Sequence, residues 1–536
     1  MERTALATRI ILFSVLFLKT ISVAADISGI VMDEFGKPIV NAVVRIQGSP
    51  FATQSDSTGQ FGIAAKSNPT AKYLTAWSIG FYNGGTAISK ERKWYDIRLK
   101  AIPDSDNPNY AWLPCSISRP FDSSNAVVEG KPCQQCHPKV AIQWQQDAHS
   151  KSAVNPLFRT FFYGTNTLGE KGIGPGYKLD FANSNGNCAT CHIPMLAMKN
   201  PFNSDPNTLD PVASEGINCD FCHKISDAEI DRTGGRPGIL SYKFKRPSQG
   251  NQVFYGPLDD VFPGDDSYHP LYKQSRYCAP CHHGKFWNVL AYSEFQEWTD
   301  SSYAKRNIHC QQCHMKPDGV MTRFASKEHG GIARNPATLA SHVNFGIKDV
   351  QFMKESISLK TQASLIKGRL HVTAEVKNVS AGHHYPTGNP MRNMLLLVEA
   401  TDRNGQRLSL VHGEKLPEWA GVGPLEKGNY AGLPGRGYAK VLKDLMLYPD
   451  RSLNRDFVFE YPAPHWRPTL IEYDSRIPAD GTDSSTYQFQ VLESTPKPIQ
   501  ITTRLIYRRA YKKWLDAKGF EIADLELAIN RLAIKR

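Results

Sequence analysis

No stretch of this 536-residue chain reaches the ~20 consecutive apolar residues that a membrane-spanning helix needs, so the mature sequence offers no transmembrane segment. Residues 26 to 100 contain neither cysteine nor histidine, and no cysteine follows Cys313, which confines thiol chemistry to the middle of the chain. With 40 glycines and 35 prolines it is neither collagen-like nor of low complexity. A composition 41% hydrophobic and 21% charged excludes a disordered chain and fits about three folded domains. No Ser-His-Asp order, phosphate loop or zinc motif stands out, so hydrolase and nucleotide-binding readings have no support.

The first 25 residues read as a secretory signal peptide. Arg3 and Arg9 make a basic start, Ile10 to Leu18 is a short apolar run, and Val23 and Ala25 fit the small-residue cleavage rule. Lys19 after the run argues further against an anchor, and no cysteine near the cleavage point provides for a lipoprotein. The mature chain is expected to start near Asp26 and to be exported, to the periplasm or outer surface of a bacterium.

Export would normally make cysteines disulfides, but the spacing here says otherwise. Ten of the eleven fall into five C-x-x-C-H motifs. They are Cys133, Cys136 and His137; Cys188, Cys191 and His192; Cys219, Cys222 and His223; Cys278, Cys281 and His282; and Cys310, Cys313 and His314. This is the attachment signal of c-type haem: two thiols add to the vinyl groups, and the next residue places an imidazole beneath the iron. Chance would give about 0.007 such motifs in this composition. Disulfides or zinc sites would not require His after every second cysteine. Five covalent haems, each with iron, are expected, the motif histidines being the proximal ligands.

Haem also reinterprets the charge. The formal +12 includes +2 from the signal segment, and five haems would bring ten propionates to balance the rest. Lys and Arg that would otherwise suggest a nucleic-acid partner are thereby accounted for, and no nucleic acid is expected.

The fold class expected is multidomain: a mostly α or irregular multihaem domain flanked by two β-sandwich-like domains. Residues 26–100 alternate as short strands, with Asp33 to Pro38 as a turn and Gly59 before another strand. Residues 101–345 hold all five motifs with little periodicity, as befits a core that is largely porphyrin. Motif starts lie 55, 31, 59 and 32 residues apart, which two two-haem units after a single haem would explain. Residues 346–536 return to strand patterns at 364–379, 391–411, 454–463 and 487–494, with Asn404-Gly405 as a hairpin turn and a basic tail packing back on the molecule.

What closes the sixth position of each iron separates a carrier from an enzyme: two strong ligands suit electron transfer, and an open position suits substrate chemistry. His149, His269 and His342 lead the distal candidates. His283 follows a proximal histidine and His309 precedes a motif cysteine, so either could serve only another haem. His329 is either a ligand or a solvent-facing residue. His383 and His384, in the Gly- and Pro-bounded GHHYPTGNP stretch, form a loop that could reach the haems, and one of the two is a further candidate. Cys115 is expected to be a buried free thiol, the alternatives being a haem ligand or an intermolecular bridge.

The motifs with W-x-x-x-x-H after the first, YGPLDD, YKQSRYCAPCHHG, EWTDSSYAKRNIHCQQCHM and SHVNFG resemble exported multihaem cytochromes. The nearest group is the tetrahaem cytochrome c that accepts electrons from hydroxylamine oxidoreductase, within a wider set including that oxidoreductase and the pentahaem nitrite reductases. The resemblance covers about residues 110 to 345. It implies closely stacked haems, mostly with two histidine ligands, forming one electron wire, and makes His149, His269 and His342 distal ligands. The chain departs from the nitrite reductases in having no C-x-x-C-K and from the oxidoreductase in having five motifs rather than eight, with no assignable tyrosine cross-link, so neither activity transfers. Residues 26–100 separately resemble the carboxypeptidase regulatory-like domain, a small β-sandwich that implies a spacer or docking module.

The reading is an exported pentahaem cytochrome relaying electrons between redox partner proteins, with a membrane or cell-surface electron-transfer complex as the candidate partner. The alternative is a haem oxidoreductase acting on a small nitrogen or sulfur compound at one open iron. An adhesion or sensing protein trails, because five haems exceed what sensing needs. The intact mass of the purified protein is expected to exceed that of the processed chain by five haems, and a variant with Cys310 and Cys313 both changed to Ala by four. Any other increment contradicts one haem per motif.

Overall fold

A computed structural model describes residues 27–64, 72–116, 132–230, 235–445 and 459–535. The expected signal segment lies outside the described residues. The chain divides into two compact units, one ending at Ala101 but including Asp259–Phe262, the other holding the remainder.

Among the described residues the first unit contains seven strands: β1 (Ile27–Asp33), β2 (Val43–Ile46), β3 (Ala52–Gln54), β4 (Gln60–Ile63), β5 (Tyr73–Trp77), β6 (Gly84–Ala87) and β7 (Trp94–Leu99). They form a sheet in the order β4-β1-β7 and another in the order β3-β2-β5-β6. Period-two alternation drives this, since Tyr95, Ile97 and Leu99 on β7 are buried while their neighbours face water. Side chains from both sheets, among them Val31, Phe61, Val44 and Leu74, fill one core. Gly29 is required where β1 passes β7, because a Cβ there would lie 1.9 Å from the Tyr95 carbonyl oxygen. Asp259 receives a two-pronged bond from Arg45 at 2.7 and 2.8 Å, which holds the four-residue excursion within this unit.

In the second unit two textures meet. From 132 to 345 the longest helix among the described residues is Pro138–Gln146, and no strand exceeds four residues. From 357 onward long antiparallel strands form two four-stranded sheets. One runs in the order 357–366, 369–378, 482–490 and 410–412; the other 435–438, 393–401, 499–508 and 525–534. Leu370, Val372, Ala374 and Val376 of the first meet Met394, Leu396, Val398 and Leu505 of the second. Strand 393–401 is buried on both faces, hence its unbroken apolar run Met394–Val398. Its other face, Leu395 and Leu397, packs with Phe161 of the helix Pro156–Tyr163 and with Trp466 and Trp514. The haem-motif region and the β region therefore share a core.

Asp402 accepts the Asn404 and Gln406 amides, and Gly405 takes φ +83° to close the hairpin at Asn404-Gly405. The basic tail is strand 499–508, helix Lys512–Ala517 and strand 525–534, and it packs inward through Trp514 and Leu515. Of the strand expected at 454–463, residues 454–458 lie outside the described residues and 459–463 form a loop. No helix among the described residues is long and apolar enough to cross a membrane. Leu396→Ala, at a fully buried position, is expected to cost about 2–5 kcal/mol in chemical denaturation of the haem-loaded protein; a cost below ~1 kcal/mol would contradict its place in the core.

Candidate haem centres

Each C-x-x-C-H motif forms one helical turn. Cys133–Cys136, Cys219–His223 and Cys310–His314 are helical throughout, while Cys188 and Cys278 cap the turns Ala189–His192 and Ala279–His282. Helical spacing puts residues i and i+3 on one face with i+4 beside them, so two thiols and an imidazole converge without tertiary help. Asn218 caps the third turn, accepting the Phe221 amide at 3.0 Å. All ten motif cysteines are free thiols, as covalent attachment requires.

Four motif histidines have Nδ1 engaged by oxygen. The partners are the Phe324 carbonyl for His137 (3.2 Å), Tyr255 for His223 (2.5 Å), Phe345 for His314 (2.5 Å) and the Glu294 carboxylate for His282 (3.4 Å). His192 is held by the Ser152 backbone and stacks on Phe158 at 4.0 Å. Anchoring Nδ1 this way leaves Nε2 as the ligating atom. Burial pushes His192 and His314 down to about 4, so each imidazole is neutral, the form that binds metal. Burial is the largest single effect on His282 and would lower it, but its bond to the Glu294 carboxylate, the charge of Glu294 and the nearby Cys310 together outweigh it and the net shift is upward.

Two distant histidines lie opposite motif histidines. His149 and His282 have ring centroids 6.3 Å apart, their planes crossed at 84°. His314 and His383 are 6.2 Å apart and nearly coplanar in orientation, at 12°. Metal–imidazole bonds of about 2.0 Å and a ring radius of about 1.2 Å would separate two imidazoles across one metal ion by roughly 6.4 Å. The Nδ1 atoms of the two distant rings are also taken, by Asp147 at 2.7 Å and by the His384 carbonyl at 2.9 Å. Free thiols, anchored Nδ1 atoms and these separations fit covalently attached haem.

The remaining candidates differ in setting. His342 is lowered to about 4 by burial and then by neighbouring His223, with a smaller effect from His137. His269 accepts the Leu271 amide at Nδ1 (3.3 Å) and packs between Tyr255 and Tyr272. His329 is exposed, bonded to Ser326 at 2.9 Å, and acts electrostatically on His137. His309 accepts the Ser275 amide and pairs with Asn307, so both its nitrogens serve local structure. His283 is fully buried against Phe295. Cys115 is buried, and its thiol meets that of Cys219.

Thiol contacts also report which motifs are neighbours. Cys133 bonds Cys219, Cys191 bonds Cys281, and Cys278 bonds Cys310. The first motif thus adjoins the third, and the fourth adjoins both the second and the fifth. Cys281 also lies within the electrostatic reach of Cys222 in the third motif.

The loop carrying His383 is held by a buried ionic network. Glu297 accepts from the His384 amide (3.1 Å), Thr387 Oγ1 (2.7 Å) and Arg476 Nη1 (2.7 Å), with Glu297 and Arg476 side chains 3% and 5% exposed. Asn378 Nδ2 donates to the His383 carbonyl at 2.8 Å. Lys440, lowered to about 8 by burial, donates to the Leu290 and Ala291 carbonyls and to Ser293.

Several residues were not singled out from sequence. Asp147 stands two residues before His149, a spacing visible in WQQDAHSK. Glu294 and Glu297 carry no local signal. His465 is lowered to about 3 by burial and by His192, and its Nε2 lies 3.2 Å from Tyr292 Oη, which also accepts from Asn389 at 3.2 Å.

The family model described as "Cytochrome c554 and c-prime" matches residues 132–224, a segment spanning the first three motifs. Among solved structures, a penta-heme cytochrome c552 from Thermochromatium tepidum superposes with a TM-score of 0.53 at 18% identity, covering 75% of this chain and 97% of that one. A second, the Fcho1 Mu homology domain of Danio rerio with bound Eps15 peptide, reaches a TM-score of only 0.13 at 10% identity over 34% of this chain and 44% of that one, too low to bear on the fold. No curated protein matches the chain. The first two matches together support a multihaem c-type cytochrome. Glu297→Ala would take the acceptor from the His384 amide and Thr387 and leave Arg476 paired with Asp474 alone, at 2.7 and 2.8 Å. It is expected to cost about 1–3 kcal/mol in chemical denaturation; a loss under about 0.5 kcal/mol would contradict the network's role.

Proposed function

We propose that this chain is an exported pentahaem cytochrome that relays electrons between redox partner proteins by haem-to-haem tunnelling. The observation that carries the reading is the pair of imidazole separations, 6.3 Å for His149 and His282 and 6.2 Å for His314 and His383. Haem supplies an iron that exchanges one electron, and two strong ligands keep its geometry nearly unchanged on reduction.

The chain's own residues do the rest. Cysteines of the five motifs would anchor the haems, the motif histidines would each supply one ligand, and His149 and His383 would supply the second at the fourth and fifth centres. His342 serves the third, favoured by its electrostatic proximity to His223. His269 is disfavoured as an Nε2 ligand, since accepting an amide at Nδ1 leaves the proton on Nε2. The thiol contacts support a connected path through motifs one and three, then four, with two and five beside four. Unit one, read as a carboxypeptidase regulatory-like module, would dock the carrier to a larger or cell-surface assembly.

A second reading, an oxidoreductase acting on a small nitrogen or sulfur compound, is favoured at one place. Beside His192 the chain sets His465, Tyr292 and Asn389 in one hydrogen-bonded group, which suits a polar pocket over an open iron.

His149→Ala and His383→Ala test the relay reading through the haem-loaded protein. Each is expected to retain five haems and to convert one of them from low to high spin in near-infrared magnetic circular dichroism. A variant whose haems all remain low-spin would contradict the ligand assigned to it.

A further inference from the structure

The two imidazoles assigned to the fourth centre differ from the others in what stands behind them. His137, His223, His314 and His383 each face a backbone carbonyl at Nδ1. His149 instead meets the Asp147 carboxylate at 2.7 Å, and His282 the Glu294 carboxylate at 3.4 Å. Asp147 is 2% exposed and Glu294 15%, so water screens neither charge well. Asn344 Nδ2 donates to the same Asp147 oxygen at 2.9 Å and fixes its aim.

A full negative charge accepting from Nδ1 draws that proton away from the ring, which makes Nε2 a stronger donor to the metal. Stronger donation and nearby negative charge both favour the ferric state. Asp147 lies closer to its ring than Glu294 does, 2.7 against 3.4 Å, and is the less exposed of the two, so it has the larger effect. We infer that Asp147 and Glu294 make the fourth centre the lowest-potential member of the set. This rests on the reading that His149 and His282 share one iron.

Position gives the inference its consequence. The fourth motif's thiols meet those of the second and the fifth, and Cys281 is close enough to feel Cys222 of the third. A low-potential centre at that junction is one that electrons cross without resting on it. Electrons then reside on the outlying centres, and Asp147 sets the height of the step between them.

The test is a mediated redox titration of the haem-loaded protein followed by EPR, for wild type, Asp147→Asn and Glu294→Gln. The amide introduced by Asp147→Asn keeps an oxygen acceptor for His149, so ligation should persist while the charge is lost. The expected result is a positive shift of the lowest-potential low-spin signal in Asp147→Asn and a smaller one in Glu294→Gln, the remaining signals unmoved. Titrations superimposable on wild type, or a shift confined to another centre, overturn the inference while leaving the ligand pairing intact. If His149→Ala leaves every haem low-spin, the pairing itself fails and the inference falls with it.

Discussion

Holding a second imidazole opposite the first, neutral and with Nε2 unencumbered, is the constraint on which the central region turns. One helical turn fixes two thiols and one histidine, and can do no more. The opposing ring must come from elsewhere in the chain and arrive at a separation of 6.2 to 6.3 Å. Burial supplies the protonation state, pushing His192 and His314 to about 4, and a carbonyl or carboxylate at Nδ1 supplies the orientation.

The C-terminal β region meets this constraint for one centre. Its two sheets share one buried core, and strand 393–401 carries a second apolar face onto the haem-motif region. The loop before that strand bears His383 and is tied to Glu297, Arg476 and Asn378, all buried. A buried ionic network stabilises little by itself against the cost of desolvation, but removing Glu297 strips the His384 amide and Thr387 of their acceptor and leaves Arg476 with Asp474 alone. The network therefore specifies the loop's position more than it adds to overall stability.

What was legible in the sequence was what is local. The motifs, Asn404-Gly405 and the alternation of strands such as 369–378 are written within a few residues. His149 was legible because it follows its own helix closely, and the two histidines of GHHYPTGNP because a Gly- and Pro-bounded pair is unusual. The choice between them depended on Glu297, 86 residues upstream of His383, which takes the His384 amide and leaves His383 facing His314. His465 was not singled out for the same reason, since only tertiary packing brings it beside His192. Motif spacing suggested units of consecutive haems; the thiol contacts do join the fourth motif to the fifth, but they also join the first to the third and the second to the fourth. Such neighbours are set by long-range packing, which gap lengths do not record.

We propose irons closed by histidines in a protein that carries electrons. The most direct measurement is the EPR spectrum of the fully oxidised protein, integrated against haem content, before and after adding nitrite, hydroxylamine or cyanide. The account predicts low-spin ferric signals accounting for five haems and unchanged by any of the three. A high-spin signal approaching one haem and altered by these molecules would contradict it, and would direct attention to His465 and Tyr292 beside the second motif.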